Sequence, residues 1–246
     1  MNLQRIRTDH YLVNWYEADL TGQAKLSSIC NYLQESAWRH ANHLGFGFEE
    51  AKARNEVWVI IGLMLKMLRY PHWGETITVE TWPKGIDRLF AFRDFRILDE
   101  QENVIGAATS TWMILDISTR RPKPVEIVRD VLHLAVRQDI LDKNPPHLQP
   151  PHQPEKLYSR EVRFSELDFN GHVNNTRYID WCMDAFPAEW HQAHKVHTLS
   201  INYLLEVRGS DTITLLTDRS AVDGHLLQGI RESDGKAIFR ARLEVE

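Results

Sequence analysis

The chain of 246 residues has only two cysteines, Cys30 and Cys182, and no long hydrophobic run. Its longest apolar stretch, residues 57–65, falls far short of the roughly 20 residues that a membrane-spanning helix needs. The N-terminus lacks the apolar region of a signal peptide. Two thiols without a secretory context are typical of a reducing compartment, where disulfides are rare. We therefore expect a cytoplasmic protein with no membrane span and with both thiols buried and free.

An excess of basic residues is missing as well. The sequence has 29 Lys and Arg against 34 Asp and Glu, which gives a net charge of −5. Because nucleic-acid-binding domains usually carry a basic bias, we expect no nucleic-acid partner. The hydrophobic content of 43% is ordinary for a globular protein. The length suffices for one large domain or two small ones.

The second half of the chain repeats motifs of the first half. The pattern Glu-x-Asp-x-x-Gly at residues 17–22 returns at 166–171, and Gly-Glu-Thr-Ile-Thr-Val at 74–79 returns as Ser-Asp-Thr-Ile-Thr-Leu at 210–215. Two matches in the same order indicate a tandem duplication. The spacing between the two motifs is shorter in the second half. The second copy should therefore have a shorter helix and loop.

Each copy has the pattern of a strand, a long helix and four further strands. In the first copy, apolar residues recur at helical spacing from Leu26 to Leu44, and Gly45 stands where a C-terminal glycine cap belongs. Turns are predicted at Pro83/Gly85 and elsewhere between strands, and a second helix is expected over residues 126–143. The predicted strands are 58–68, 76–82, 91–98 and 104–115 in the first copy, and 157–164, 196–203, 212–218, 226–231 and 236–245 in the second.

A proline-rich segment separates the two copies. Half of the ten prolines of the chain lie within it, which is typical of a stiff, extended linker. We therefore predict a first domain over residues 1–143, a linker over 144–155 and a second domain over 156–246.

A polar loop at the start of the second copy carries the strongest chemical signal. Asp168, Asn170 and His172 alternate around a glycine, and helical spacing of the apolar residues that follow predicts a helix beginning at Asn174 or Asn175. Turn and cap residues are the ordinary explanation of such a composition. A polar loop before a helix N-terminus, however, also combines titratable groups with unpaired N–H donors, which suits the stabilisation of an oxyanion.

The pattern Asp-x-Asn-x-His-Val-Asn-Asn-x-x-Tyr over residues 168–178 resembles the signature loop of the acyl-acyl carrier protein (ACP) thioesterases. These are the plant chain-terminating enzymes and their bacterial relatives. The resemblance implies an α+β fold of the tandem (double) hot-dog type, in which each copy wraps an antiparallel sheet around a long central helix. It also implies hydrolysis of fatty acyl-ACP to free fatty acid and holo-ACP without a cofactor, and the acidic carrier protein as partner.

The resemblance also implies site residues. The active-site network of the family falls on four residues of the second copy: Asp168, Asn170, His172 and Glu206. Glu206 would be the general base for a water molecule, because the cysteine that often follows this glutamate in the family is Val207 here. N–H groups near Asn174 and Asn175 would hold the oxyanion.

The first copy would keep the scaffold and lose the chemistry. Gln23 and Tyr70 stand there in place of His172 and Glu206, so we expect one active site per chain. In the family the first copy shapes the acyl tunnel. The residues expected to contact the acyl chain are Trp38, Trp58, Ile60, Met64 and, in the second copy, Tyr178. A basic stretch could guide the carrier protein; its members are Lys84, Arg88, Arg93, Arg96, Arg120, Arg121 and Lys123.

Two other functions stay open at this point. One is a hot-dog thioesterase that acts on acyl-CoA, and the other is a non-catalytic acyl-binding module. His191, His194 and His197 have a spacing that could bind a metal, but no Cys, Asp or Glu completes the set nearby, so we expect no metal. Whether two chains associate as a homodimer is also open.

Overall fold

The computed structural model describes residues 4–126, 140–141, 143–218 and 224–246. The chain forms two compact units, Met1–Pro145 and Pro146–Glu246. The division falls inside the proline-rich segment. The helix expected over residues 126–143 lies almost entirely outside the described residues.

The first unit is one antiparallel sheet with a long helix. In chain order the elements are β1 (Arg7–Leu12), α1 (Leu26–His43), α2 (Phe48–Ala53), β2 (Glu56–Met67), β3 (Thr76–Asp87), β4 (Phe90–Leu98), β5 (Val104–Asp116) and β6 (Pro122–Lys123). The strand order is β1-β3-β4-β5-β2, and β6 pairs with the C-terminal part of β5. Helix α1 packs against β1 and β3.

Helix α1 confirms the predicted apolar stripe. Leu26, Ile29 and Leu33 are at most 5% exposed, because residues three and four apart lie on the same helix face. The helix ends at His43, and Gly45 takes a backbone φ of +78°, a conformation that costs glycine little. The six-residue helix α2 was not predicted, because so short a segment has little periodicity to detect.

The predicted turn at Pro83 and Gly85 is wrong, because β3 runs through both residues to Asp87. The pairing with β4 shifts by one residue between Pro83 and Gly85, which marks a β-bulge. The register of β1 on β3 ends at Thr81. Pro83 thus follows the doubly paired part of the strand and pairs only with Arg93 of β4, beside the bulge, where a proline is tolerated.

The second unit repeats the plan with shorter helices. The elements are β7 (Pro154–Glu161), α3 (Asn175–Met183), α4 (Ala188–Ala193), β8 (Val196–Tyr203), β9 (Thr212–Asp218), β10 (His225–Arg231) and β11 (Ala237–Val245). The strand order is β8-β11-β10-β9-β7, again antiparallel. Helix α3 has 9 residues against 18 in α1, which confirms the predicted shortening. Strands β8 and β9 have the predicted bounds, whereas α4 was missed.

The proline-rich segment is bonded to the second unit by Leu148. This side chain is 4% exposed, its N–H donates to Asn202 Oδ1 at 2.7 Å, and its carbonyl accepts from Arg240 Nη1 at 3.1 Å. Asn202 Nδ2 also donates to the carbonyl of Pro146 at 2.9 Å. Buried polar contacts thus fix a stretch that was expected to be only an extended spacer.

Each unit therefore shows the hot-dog plan, a central helix with an antiparallel sheet, and the predicted α+β fold class is confirmed. Among the described residues, no helix is long and apolar enough to cross a lipid bilayer.

Candidate active site

Residues 167–174, here called the Asp168 loop, form a tight turn. Asp168 Oδ1 accepts the N–H of Asn170 at 2.8 Å and of His172 at 3.3 Å. The N–H of Asp168 donates to the carbonyl of His172 at 2.8 Å, and Gly171 takes a φ of +75°. In these bonds Asp168 fixes the backbone that carries His172.

Helix α3 begins at the end of this loop, as predicted. Asn174 caps the helix, since its Oδ1 accepts from Thr176 N at 3.0 Å and from Thr176 Oγ1 at 2.9 Å. The N–H of Asn174 itself donates to the carbonyl of Glu166 at 2.9 Å. This N–H is engaged in the fold, so of the two predicted oxyanion donors the N–H of Asn174 already has a partner.

Glu206 lies beside His172 although the two residues are far apart in the sequence. His172 Nε2 and Glu206 Oε2 are 3.5 Å apart, with side chains 19% and 37% exposed. Two backbone contacts create this proximity: His172 forms a β-bridge with Arg208, and Val173 N donates to the carbonyl of Val207 at 2.8 Å. The structure thus brings together an imidazole and a carboxylate that solvent can reach.

Asn170 lies at the exposed part of the loop. Its backbone N–H donates to Asp168 Oδ1, and the residue is exposed to solvent. The described hydrogen bonds give the Asn170 side chain no partner in the protein. It is therefore available to a substrate or to a water molecule.

Glu166 was not singled out from the sequence, yet it fixes the start of the loop. It is 8% exposed and accepts from Arg163 N and Trp181 Nε1, each at 2.8 Å, and from Arg160 Nη2. The duplication could have indicated the structural role of Glu166, because the motif places Glu17 at the matching position. Glu17 accepts from the N–H of Asn14 at 2.9 Å. Both residues are structural anchors of the repeated turn.

The first unit contains the same turn without the reactive side chains. Asp19 Oδ1 accepts from Thr21 N at 2.7 Å, and Gly22 takes a φ of +76°. Gln23 forms a β-bridge with His72, as His172 does with Arg208. Tyr70, two residues before His72, therefore occupies the position of Glu206, as predicted.

The first copy accordingly lacks the imidazole and carboxylate pair. Burial raises the pKa of the Tyr70 phenol well above its ordinary value, which favours the neutral phenol.

Tyr178 is enclosed in the core of the second unit. It is 4% exposed, and its ring centroid lies 4.9 Å from that of Trp181 and 5.2 Å from that of Phe239. Burial, followed by the charge of Glu206, raises the pKa of the Tyr178 phenol, against a smaller opposing effect of a backbone hydrogen bond from Val207. The side chain expected to contact the acyl chain thus lies under the segment that carries Glu206.

The first-copy residues expected to contact an acyl chain do not line one surface. Trp58 pairs with Ile114 and Ile60 with Trp112, so Trp58 and Ile60 share a sheet face. Trp58 packs there on the buried cluster that contains Leu44, Phe46, Ala91, Ile114 and Val125. Met64 pairs with Thr109 and belongs to the opposite face. Trp38 is 53% exposed on α1.

The basic stretch does not form one exposed patch, which corrects the expectation. Arg93 is 6% exposed and donates to His40 Nδ1 at 3.0 Å and to Thr81 Oγ1 at 3.2 Å. Burial lowers the pKa of Arg93 to about 9. Three other members are ion-paired within the unit: Lys84 with Asp94 at 3.5 Å, Arg96 with Glu80 at 2.5 Å, and Lys123 with Glu56 at 2.7 Å.

Both cysteines are free and buried. Burial raises the pKa of the Cys182 thiol, which disfavours a nucleophilic thiolate. The three histidines with metal-like spacing each bond elsewhere: His191 Nε2 to Met183 O, His194 Nδ1 to Trp190 O, and His197 Nδ1 to Thr198 Oγ1. In the part of the chain that the structure describes, no three His, Cys, Asp or Glu side chains are placed to hold a metal ion.

Family models match nearly the whole chain. Residues 5–133 match the acyl-ACP thioesterase N-terminal domain, and residues 151–245 match the C-terminal domain. The chain is 29% identical to the chloroplastic oleoyl-acyl carrier protein thioesterase of Coriandrum sativum, over 93% of this chain and 67% of that protein. It is 30% identical to oleoyl-acyl carrier protein thioesterase 2 of Arabidopsis thaliana, over 85% and 62%. The chain thus spans about two thirds of the length of these plant relatives.

Solved structures agree with this assignment. An acyl-ACP thioesterase from Bacteroides thetaiotaomicron superposes with a TM-score of 0.91 at 25% identity, over 98% of both chains. The 12:0-ACP thioesterase from Umbellularia californica has a TM-score of 0.83 at 22% identity, over 98% of this chain and 97% of that chain, which shows the shared fold. Two hot-dog units that match the N-terminal and C-terminal acyl-ACP thioesterase domains define the class of protein, a thioesterase. The chain belongs to the acyl-ACP thioesterase family, as the signature loop predicted.

Proposed function

We propose that this protein hydrolyses the thioester of fatty acyl-ACP and releases a free fatty acid and holo-ACP, which terminates fatty acid synthesis. The observation that carries the proposal is the 3.5 Å approach of His172 Nε2 to Glu206 Oε2, next to the turn that Asp168 fixes, in a chain of this family. The carrier protein is the proposed partner.

In the proposed reaction, Glu206 takes a proton from a water molecule while the water oxygen attacks the thioester carbonyl carbon. The carbon–sulfur bond then breaks, and the thiolate of the carrier's prosthetic arm receives that proton. His172 orients the water or polarises the carbonyl, and Asn170 supports the same geometry. General-base assistance contributes about 10²–10⁴-fold to such a rate.

The developing oxyanion needs a donor from the protein. We assign this role to the N–H of Asn175, because the N–H of Asn174 already donates to Glu166 and helix N-termini favour negative charge. Removing one such donor costs about 10²–10³ in rate. A cysteine nucleophile is not part of the proposal, since Val207 follows Glu206 and Cys182 is 0% exposed.

We also assign different roles to the two copies: residues 1–143 bind the acyl chain and residues 156–246 carry the chemistry. The degenerate turn around Gln23 and Tyr70 supports this division. The proposed compartment is the cytoplasm, and two free, buried thiols are consistent with it.

Matched substrates test the proposal. Acyl-ACP and acyl-CoA with the same acyl chain are compared for turnover, and we expect the carrier-protein substrate to have the higher kcat/KM by at least about tenfold, because carrier contacts add binding energy. Faster turnover of acyl-CoA would favour the acyl-CoA thioesterase. Tight acyl binding without turnover of either substrate would favour the non-catalytic module.

A further inference from the structure

The segment of residues 204–210, here called the Glu206 segment, joins β8 to β9. Leu204 N donates to the carbonyl of Ile238 at 2.9 Å, and Arg208 N donates to Asp211 Oδ2 at 3.2 Å. These bonds hold the two ends of the segment. The proposed general base lies between them, outside any regular strand.

Arg231, at the end of β10, contacts the middle of this segment. Its Nη1 donates to the carbonyl oxygen of Glu206 at 3.3 Å and lies 3.9 Å from Asp211 Oδ2. Its Nε and Nη2 donate to the two carboxylate oxygens of Asp234 at 3.0 and 2.8 Å. The two-point contact with Asp234 orients the planar guanidinium, so that its remaining nitrogen points at the Glu206 backbone.

The first unit bonds the matching carbonyl in a different way. Arg69 Nη1 donates to the carbonyl of Tyr70 at 3.4 Å and pairs with Glu75 at 2.9 Å. Arg69 precedes Tyr70 in the sequence, whereas Arg231 comes from another strand. An arginine therefore donates to the matching backbone carbonyl in both copies. The contact in the first copy, where no catalysis is proposed, serves as the control for a purely structural role.

We propose that Arg231 is a positioning residue for the general base: its bond to the Glu206 carbonyl holds the segment at the distance from which the Glu206 carboxylate meets His172 and the attacking water. This inference rests on the proposed role of Glu206. The reason is geometric, because a base that moves by about 1 Å can lose on the order of 10²-fold in rate.

The test compares Arg231→Gln with Arg69→Gln. We expect Arg231→Gln to lower kcat by about tenfold with KM within about twofold, because substrate binding is untouched while the chemical step slows. Arg69→Gln removes the same kind of contact in the degenerate copy and should keep kcat within about twofold. Arg231→Lys, which keeps a long cationic side chain with N–H donors, should recover most of the rate. Thermal melting of each variant shows whether the fold is intact.

A double-mutant cycle distinguishes this inference from the proposed function. In a Glu206→Gln background, Arg231→Gln should cause no further loss of kcat, since both changes act on the same group. An equal further loss, or unchanged kcat in Arg231→Gln alone, would overturn the inference. Full activity of Glu206→Gln would instead overturn the proposed role of Glu206. If Arg231→Gln does not fold, Asp234→Asn, which loosens the guanidinium, should lower kcat by about threefold, and unchanged kcat there would also overturn the inference.

Discussion

Solvent reaches both members of the candidate acid–base pair, because the side chains of His172 and Glu206 are 19% and 37% exposed. The backbones beneath them are fixed by hydrogen bonds from Asp168 and Val173. Because the backbone is fixed, the two side chains lose less conformational entropy on reaching the transition state. The side chains can therefore be changed while the backbone bonds stay in place.

Single replacements of these side chains should separate activity from folding. We expect Asn170→Ala, His172→Ala and Glu206→Ala each to lower kcat by at least about tenfold, as losses of orienting and base groups do. Turnover of acyl-ACP and thermal melting measure the two effects. None of the three side chains is fully buried, so the melting temperature should change little. A folded Glu206→Gln variant with full activity would remove Glu206 from the mechanism.

At the scale of elements, the two copies of the turn share one backbone conformation. Gly22 and Gly171 have φ values of +76° and +75°, and a Cβ added at either would meet no atom within 4 Å. An alanine at these positions would therefore suffer backbone strain alone, without a clash. The two glycines form a matched pair that differs only in the chemistry next to it.

Gly171→Ala and Gly22→Ala should have similar effects on stability and different effects on catalysis. We expect each to lower the free energy of unfolding by about 1–2 kcal/mol, the cost of a left-handed conformation for a residue with a Cβ. Only Gly171→Ala should lower kcat, since the strained backbone of this variant lies between Asn170 and His172. Denaturant unfolding and acyl-ACP turnover provide the comparison. Equal losses of kcat in both variants would show that the turn acts on activity through global stability.

Other elements show which features can be predicted from the local sequence and which cannot. The apolar periodicity of α1 and the start of α3 are short-range features, and both were predicted to within a residue or two. The course of β3 through Pro83 was not predicted, because a proline is tolerated in a strand at edges and bulges, and the position of both depends on the register with β1 and β4.

At the scale of the whole molecule, duplication allows one copy to lose the chemistry while keeping its fold. The first copy keeps an interior face with Trp58 and Ile60 next to a buried apolar cluster. Met64 lies on the other face of the same strand. The proposed division of roles can therefore be tested by substitutions on the two faces of one strand, with Trp58 and Ile60 as the tested residues and Met64 as the control.

Substitutions at the first-copy face should change acyl-length preference. Each buried methylene of the acyl chain contributes about 0.8 kcal/mol to binding. Removing or adding space for two or three of these carbons should therefore shift the chain-length preference by about 10–100-fold. We expect Ile60→Ala and Trp58→Leu to move the free fatty acid profile and to leave hydrolysis of short acyl chains largely intact. Met64→Leu should have a smaller effect. A profile that stays fixed in these variants and moves with Tyr178 or Trp181 substitutions would refute the division.

The sequence by itself determined the duplication, the fold class, the long helix of the first copy, the start of α3 and the identity of the Asp168 loop. All of these depend on periodicity, turn residues and a motif within a short stretch of chain. Only the tertiary structure decided which distant groups meet. It placed Glu206 at 3.5 Å from His172, aimed Arg231 at the Glu206 carbonyl, engaged the N–H of Asn174 and buried Arg93. Strand register and side-chain packing determine these contacts, and neither can be predicted from the local sequence around any one of the residues.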